Sequence, residues 1–288
     1  MAEGRIAILG GDKRELYVAG KLASGGYDVA LFACDVDDGG DLDNESSVEA
    51  AVQGARWIIG PSPGLGAGDT VYAPVYSGSV VLDETLLARS DAAKGGLVLG
   101  MASPTLTQTA RRLAIPVFET KADRSLAVLN ATSVAEAVLC LIVQGTDRLL
   151  REYRVLVLGY GATAVAITDY LLALRCPVTV SCRSDVDRAR AEQRGATAVA
   201  YDARMDEFAS TDIVINTVPS VSAISEEVFA LLGDAKVIDI ASPPGGLDHA
   251  RASELGFAVT WARGLAGSRA PVSVGEARFA YLERLLRS

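Results

Sequence analysis

Gly159-Tyr160-Gly161-Ala162-Thr163-Ala164 can bind a pyrophosphate with its backbone alone. Arg154-Val155-Leu156-Val157-Leu158 before it is apolar enough for a buried parallel strand, and an apolar helical pattern follows. In such a turn the first glycine makes the sharp bend and the second lets the backbone approach the phosphates. A small third residue, here Ala164, permits close helix packing. Gly159, Tyr160, Gly161, Ala162 and Thr163 are therefore candidate dinucleotide contacts.

The end of the next strand selects the dinucleotide. NAD-specific folds place a carboxylate there, about 20 residues after the glycines, on the ribose hydroxyls. This chain has Arg183-Ser184, a guanidinium and a hydroxyl that suit the 2′-phosphate of NADP. Asp185 keeps NAD open, and Arg183 as a solvated loop cation is the alternative.

Other residues with chemistry lie at strand ends. Gly10-Gly11-Asp12-Lys13-Arg14 opens a helix with charges that suit a small charged ligand at Asp12 and Arg14, or simply cap that helix. Asn216-Thr217-Val218-Pro219-Ser220 leaves a strand where Thr217, Val218 and Pro219 can line the nicotinamide ribose. Asp239 and Ser242 end the next strand, where they can orient nicotinamide or substrate; Asp239 bonding a loop amide is the alternative. Cys34, Cys140, Cys176 and Cys182 show no metal-ligand spacing and read as reduced core residues. The single histidine, His249, lies in a polar helical pattern without a companion, which argues against a histidine metal site or a Ser-His triad.

The elements that must position these groups alternate between short apolar runs and longer amphipathic ones. Strands are expected at 5–9, 28–32, 57–59, 96–99 and 117–119, then at 154–158, 177–182, 198–201, 213–216, 236–240 and 258–261. Helices are expected at 13–25, 105–113, 133–150 and 273–286, with an acidic loop between Cys34 and Asn44 and a mobile segment from Pro61 to Gly68. The fold class is α/β: two Rossmann-like doubly wound parallel-sheet domains joined by long helices. The first spans 1–130 plus the terminal helix 272–288, and the second, NADP-binding, spans 131–271. Composition agrees: 288 residues, half hydrophobic, suffice for two domains, and a net charge of −9 leaves no basic stripe for nucleic acid. No export signal is visible and no apolar run approaches a membrane span, so a soluble, cytoplasmic chain is expected.

Taken together, the motifs resemble the A-subunit family of dipicolinate synthase. The parallels are Gly10-Gly11-Asp12 with Arg14; Asn130 and Glu136; the turn at Gly159 and Gly161; Ile215 to Ser220; Asp239-Ile240-Ala241-Ser242 with Gly245-Gly246; and Gly264-Leu265 through Gly267 to Ala270-Pro271. The resemblance implies NADP-linked oxidation of a dihydrodipicolinate-level intermediate to pyridine-2,6-dicarboxylate in endospore formation, together with a flavoprotein-like partner, the B subunit. It also places Gly264 beside the nicotinamide carboxamide, and Asp12, Arg14, Asn130 and Ser242 near the cyclic dicarboxylate. Such an oxidation needs orientation and one base. Glu136 and Asp239 are the catalytic candidates, Glu136 being equally readable as a structural carboxylate. A homo-oligomer is compatible with this reading.

The chain departs from the family pattern where cations are expected: Ala162, Pro243 and Val272 stand there instead. Arg263 and Arg269 are nearby candidates to receive the substrate carboxylates. The departures leave two alternatives open, a non-catalytic NADP-binding or regulatory partner and a reductase of another small acid.

Overall fold

The computed structural model describes residues 4–36 and 42–287, so residues 37–41 of the expected acidic loop lie outside the described residues. The strands in chain order are β1 (Arg5–Leu9), β2 (Asp28–Phe32), β3 (Ala55–Ile59), β4 (Gly96–Leu99), β5 (Val117–Glu119), β6 (Val155–Leu158), β7 (Val178–Cys182), β8 (Thr197–Ala200), β9 (Ile213–Asn216), β10 (Lys236–Asp239) and β11 (Val259–Trp261). The helices are α1 (Lys13–Ser24), α2 (Val48–Val52), α3 (Glu84–Leu87), α4 (Pro104–Arg112), α5 (Arg124–Gln144), α6 (Ala162–Ala173), α7 (Asp185–Gln193), α8 (Met205–Phe208), α9 (Glu226–Leu232), α10 (His249–Glu254), α11 (Leu265–Arg269) and α12 (Pro271–Leu286). The chain forms two compact units, one of residues 1–127 with 270–288 and one of residues 128–269.

Unit 1 holds a parallel sheet in the order β2-β1-β3-β4-β5. Its strands are buried on both faces: Ala7 and Leu9 join one cluster with Ile58, Leu97 and Leu106, while Ile6 and Ile8 join another with Val18 and Leu22 of α1 and Leu282 of α12. The close approach of α12 to α1 requires Gly275, where a Cβ would fall 2.7 Å from the Tyr17 ring. Pro61 to Gly68, expected to be mobile, leads into hydrogen-bonded structure: Gly66 N–H donates to Thr70 O at 2.7 Å, and Leu65 bridges Val71.

Unit 2 holds a parallel sheet in the order β11-β10-β9-β6-β7-β8, doubly wound about β6 and β9. Alternation along β6 serves both faces, Val155 and Val157 packing with Ile167 and Leu171 of α6, and Leu156 and Leu158 with Phe208, Val228 and Phe229. In each unit the order of connection reverses beside the first strand, and the carboxyl ends at that point form the crevice where such sheets accept ligands.

The connecting helix departs from expectation. It runs over 124–144, not 133–150, because Asp123 Oδ1 accepts from Ser125 N (2.9 Å) and Leu126 N (3.0 Å) and starts it early. Thr132, just before the expected start, lies inside the helix with its hydroxyl donating to Val128 O at 3.0 Å. This helix corrects the expectation about apolar runs: it is long and apolar enough to cross a membrane by length and composition, with a mean hydropathy of 2.1. Its Ala135, Val138 and Ile142 belong to the core of unit 2.

The cysteine expectation holds for Cys34, Cys176 and Cys182, which are buried, but Cys140 is exposed on α5. Burial pushes the Cys34 thiol up to about 12, the Glu15 charge adding to it. Native protein at mildly alkaline pH is therefore expected to take one maleimide rapidly, at Cys140, as read by intact mass and peptide mapping. Rapid modification of Cys34 would contradict the packing.

Candidate functional site

The turn after β6 is built for a backbone-held ligand. Gly159 has φ +95°, and a Cβ there would fall 2.5 Å from Thr217 Oγ1 and 3.1 Å from Val218 Cγ2. Thr217 is fixed against the same strand end, its N–H and hydroxyl donating to Leu158 O at 3.1 and 2.8 Å. The structure thus brings Gly159, Thr217 and Val218 together, because β6 and β9 pair with Leu158 opposite Asn216.

Gly161 is the N-cap of α6 and supplies no capping side chain. Asp12, Ser103, Ser184 and Asp248 perform that duty for α1, α4, α7 and α10. A Cβ on Gly161 would meet nothing within 4 Å. An uncapped first turn with open space above it suits an anion. The donors present therefore fit a dinucleotide pyrophosphate at Gly161, Ala162 and Thr163. Beside them, Tyr160 is half-buried, and burial holds its phenol above the usual range, partly offset by the charge of Arg194.

At the end of β7 Arg183 is exposed, and the Ser184 hydroxyl accepts from Asp187 N at 3.3 Å to cap α7. A second guanidinium stands here that the sequence reading passed over. Arg188 Nη1 donates to Cys182 O (3.0 Å) and Arg183 O (3.1 Å), and Nη2 pairs with Asp185. The carboxylate that kept NAD open is thereby engaged by a cation one helical turn away.

The ends of β9 and β10 hold a buried polar cluster. Asp239 is fully buried, and both oxygens are spent: Oδ1 accepts from Asn216 Nδ2 (2.8 Å) and Ala241 N (3.0 Å), Oδ2 from Gly246 N (2.8 Å) and His249 (2.8 Å). This corrects the assignment of Asp239 as the base that meets a ligand, since no oxygen faces outward. Asn216 also exchanges hydrogen bonds with Val218, at 3.0 and 3.1 Å, which couples the cluster to the Thr217-Val218-Pro219 exit; Pro219 is exposed. Gly246 is required because a Cβ would fall 1.9 Å from Asn216 Nδ2. In sequence His249 reads only as a lone histidine in a polar helix; its partner Asp239 is a strand end ten residues earlier, and the Gly245-Gly246 turn between them is the local signal that points to the pairing.

The remaining candidates are dispersed. Glu136, half-buried on α5, lies 3.5 Å from Arg269 Nη2 and accepts from Tyr170 OH at 3.4 Å, so its carboxylate already has a cation and a donor. Arg263 is exposed, 5.1 Å from the centre of the Trp261 ring, and Ser242 is exposed after β10. Gly264, with φ +70°, precedes α11, and Ala266 O of that helix accepts from Ser133 Oγ of α5 at 3.2 Å. Asn130 is half-buried on α5.

Asp12 and Arg14 stand in unit 1, at the carboxyl end of β1. Arg14 turns back on Asp12, donating from Nε at 2.8 Å and Nη2 at 2.7 Å, where the sequence reading has it reaching forward to a ligand. Burial raises the proton affinity of Asp12, and the Arg14 hydrogen bonds and charge outweigh it, holding the carboxyl below its usual range. Pro243 and Val272, where cations were expected, are exposed.

Residues 5–120 match the N-terminal domain of the dipicolinate synthase A-subunit. Over 98% of its length the chain is 29% identical to the dipicolinate synthase A-subunit of Bacillus subtilis (strain 168), covering 95% of that protein. The crystal structure of the dipicolinate synthase A-subunit from Bacillus halodurans superposes with a TM-score of 0.84 at 25% identity, over 99% of this chain and 98% of that one. A transhydrogenase from Sinorhizobium meliloti shares the fold with a TM-score of 0.63 at 15% identity, over 98% of this chain and 94% of that one.

Proposed function

We propose that this chain, which is similar to the A-subunit of dipicolinate synthase over nearly its whole length, is an NADP-dependent oxidoreductase converting a dihydrodipicolinate-level intermediate to pyridine-2,6-dicarboxylate, partnered by a B-type flavoprotein. The observation that carries the reading is the uncapped, open turn at Gly159 and Gly161 beside the strand-order reversal of unit 2. NADP bound there supplies the two-electron acceptor. Tyr160, Ala162 and Thr163 hold the pyrophosphate with their backbone, and Arg183, Ser184 and Arg188 meet the 2′-phosphate. Thr217, Val218, Pro219 and Gly264 border the nicotinamide half. Arg263 and Arg269 receive the substrate carboxylates, with Asn130 and Ser242 as polar contacts. Glu136 orients Arg269.

The test supplies the purified chain and its B partner with the fresh condensation product of aspartate semialdehyde and pyruvate. NADPH formation is expected; its absence in folded, NADP-bound protein would contradict the activity. Arg183→Glu is expected to lower the preference for NADP over NAD by about tenfold or more, since a charged hydrogen bond contributes about 2 kcal/mol. Unchanged preference would remove Arg183 from the site. The neutral residues Ala162, Pro243 and Val272 favour one other reading, an NADP-binding partner without chemistry. Calorimetry with pyridine-2,6-dicarboxylate separates the two, because only the enzyme binds it.

A further inference from the structure

We propose that His249 is the base of this reaction, accepting at Nδ1 the proton that the substrate ring releases, with Asp239 as its positioning residue; the inference rests on the oxidoreductase reading above.

Three observations carry it. First, Asp239 Oδ2 lies 2.8 Å from Nε2, and a carboxylate that already accepts three N–H groups presents only an acceptor to the imidazole. Nε2 therefore carries the hydrogen, and the lone pair is at Nδ1. Second, the ring is clamped. It stacks on Trp261 with centroids 4.1 Å apart and planes 10° from parallel, and Trp261 is itself tied by Nε1 to Ala241 O at 3.2 Å. Gly245 leaves the room this needs, since a Cβ there would fall 2.8 Å from Nε2. Third, the imidazole reaches the surface: its side chain is 20% exposed while Asp239 is 0% exposed, and among the described residues Nδ1 has no hydrogen-bond partner.

A buried carboxylate, a clamped imidazole and a solvent-facing lone pair are the parts of a general base with its orienting group. They stand beyond β10, on the nicotinamide half of a doubly wound sheet. In the balanced step one ring C–H bond breaks and its hydrogen leaves with the electron pair for the nicotinamide. The second ring hydrogen leaves as a proton to Nδ1, its electron pair stays in the new aromatic ring, and the imidazolium returns the proton to water. NADP is reduced and the dihydropyridine is oxidised.

As the chain has one histidine, nitrogen-15 histidine labelling gives one unambiguous imidazole signal. The protonated-Nε2 tautomer is expected in NADP-loaded protein. Adding pyridine-2,6-dicarboxylate should move the Nδ1 resonance; an unmoved resonance at dicarboxylate concentrations many times any substrate level overturns the inference. In turnover, His249→Gln should lower kcat at least about 100-fold with NADP affinity unchanged within about twofold. His249→Ala should regain rate with added imidazole, which a structural role would not produce. Wild-type rate in His249→Gln overturns the inference and leaves the oxidoreductase reading standing. No NADPH from the wild type overturns that reading, whereas a dicarboxylate-induced Nδ1 shift in the same sample still places His249 at the ligand.

Discussion

Gly161→Asp is expected to leave the protein folded and to abolish NADP binding. The backbone at this position has φ −73° and ψ 178°, which any residue adopts, and the space above it is open, so the substitution introduces no strain and no clash. Aspartate is among the best N-caps, so α6 should gain or lose less than about 1 kcal/mol. The same carboxylate would occupy the helix N–H groups and set a negative charge where the pyrophosphate must lie. Replacing attraction by repulsion there should weaken NADP at least about 100-fold, equivalent to about 2.7 kcal/mol. Thermal melts and calorimetric titration measure the two effects separately. Intact NADP affinity in a folded Gly161→Asp protein would move the nucleotide elsewhere.

Arg278→Met is expected to be the most destabilising single change in unit 1. Arg278 is 2% exposed and donates to Glu15 Oε1 at 2.7 Å, to Gly60 O at 2.5 Å and to Ser62 Oγ. Burial pulls its proton affinity down, against the opposing pull of the Glu15 charge. Glu15 is equally buried and also accepts from Asp12 N (2.8 Å), Ser62 N (2.8 Å) and Ser62 Oγ (2.6 Å). Removing the guanidinium strands a buried carboxylate, at a cost of about 3–5 kcal/mol. Denaturant unfolding should show that loss, and Glu15→Gln combined with Arg278→Met should recover part of it. A loss below about 1 kcal/mol would show the pair to be unimportant to the fold.

What the sequence discloses depends on how locally each feature is determined. The nucleotide turn is legible because strand, glycines and helix are contiguous, and every strand of both sheets is announced by its apolar run. The start of helix α5 is missed because its cap is Asp123, whose bonds to Ser125 N and Leu126 N no spacing displays, so the apolar pattern is read only from Ser133. The Asp239-His249-Trp261 assembly is invisible as a unit: its members sit on a strand, a helix start and a neighbouring strand, and only the pairing of β10 with β11 and the glycine turn bring them together. Arg278 and Glu15 lie 263 residues apart, beyond any spacing argument. Conversely, Asp239 is correctly noticed as a charged strand end, but its role depends on four donors that no motif displays.

The most direct test of the account is calorimetric titration of the wild-type chain with NADP and with NAD under identical conditions. The account predicts saturable one-to-one binding of NADP and at least about tenfold weaker binding of NAD, from the loss of the 2′-phosphate contacts. No heat with either nucleotide, or tighter binding of NAD, would contradict it.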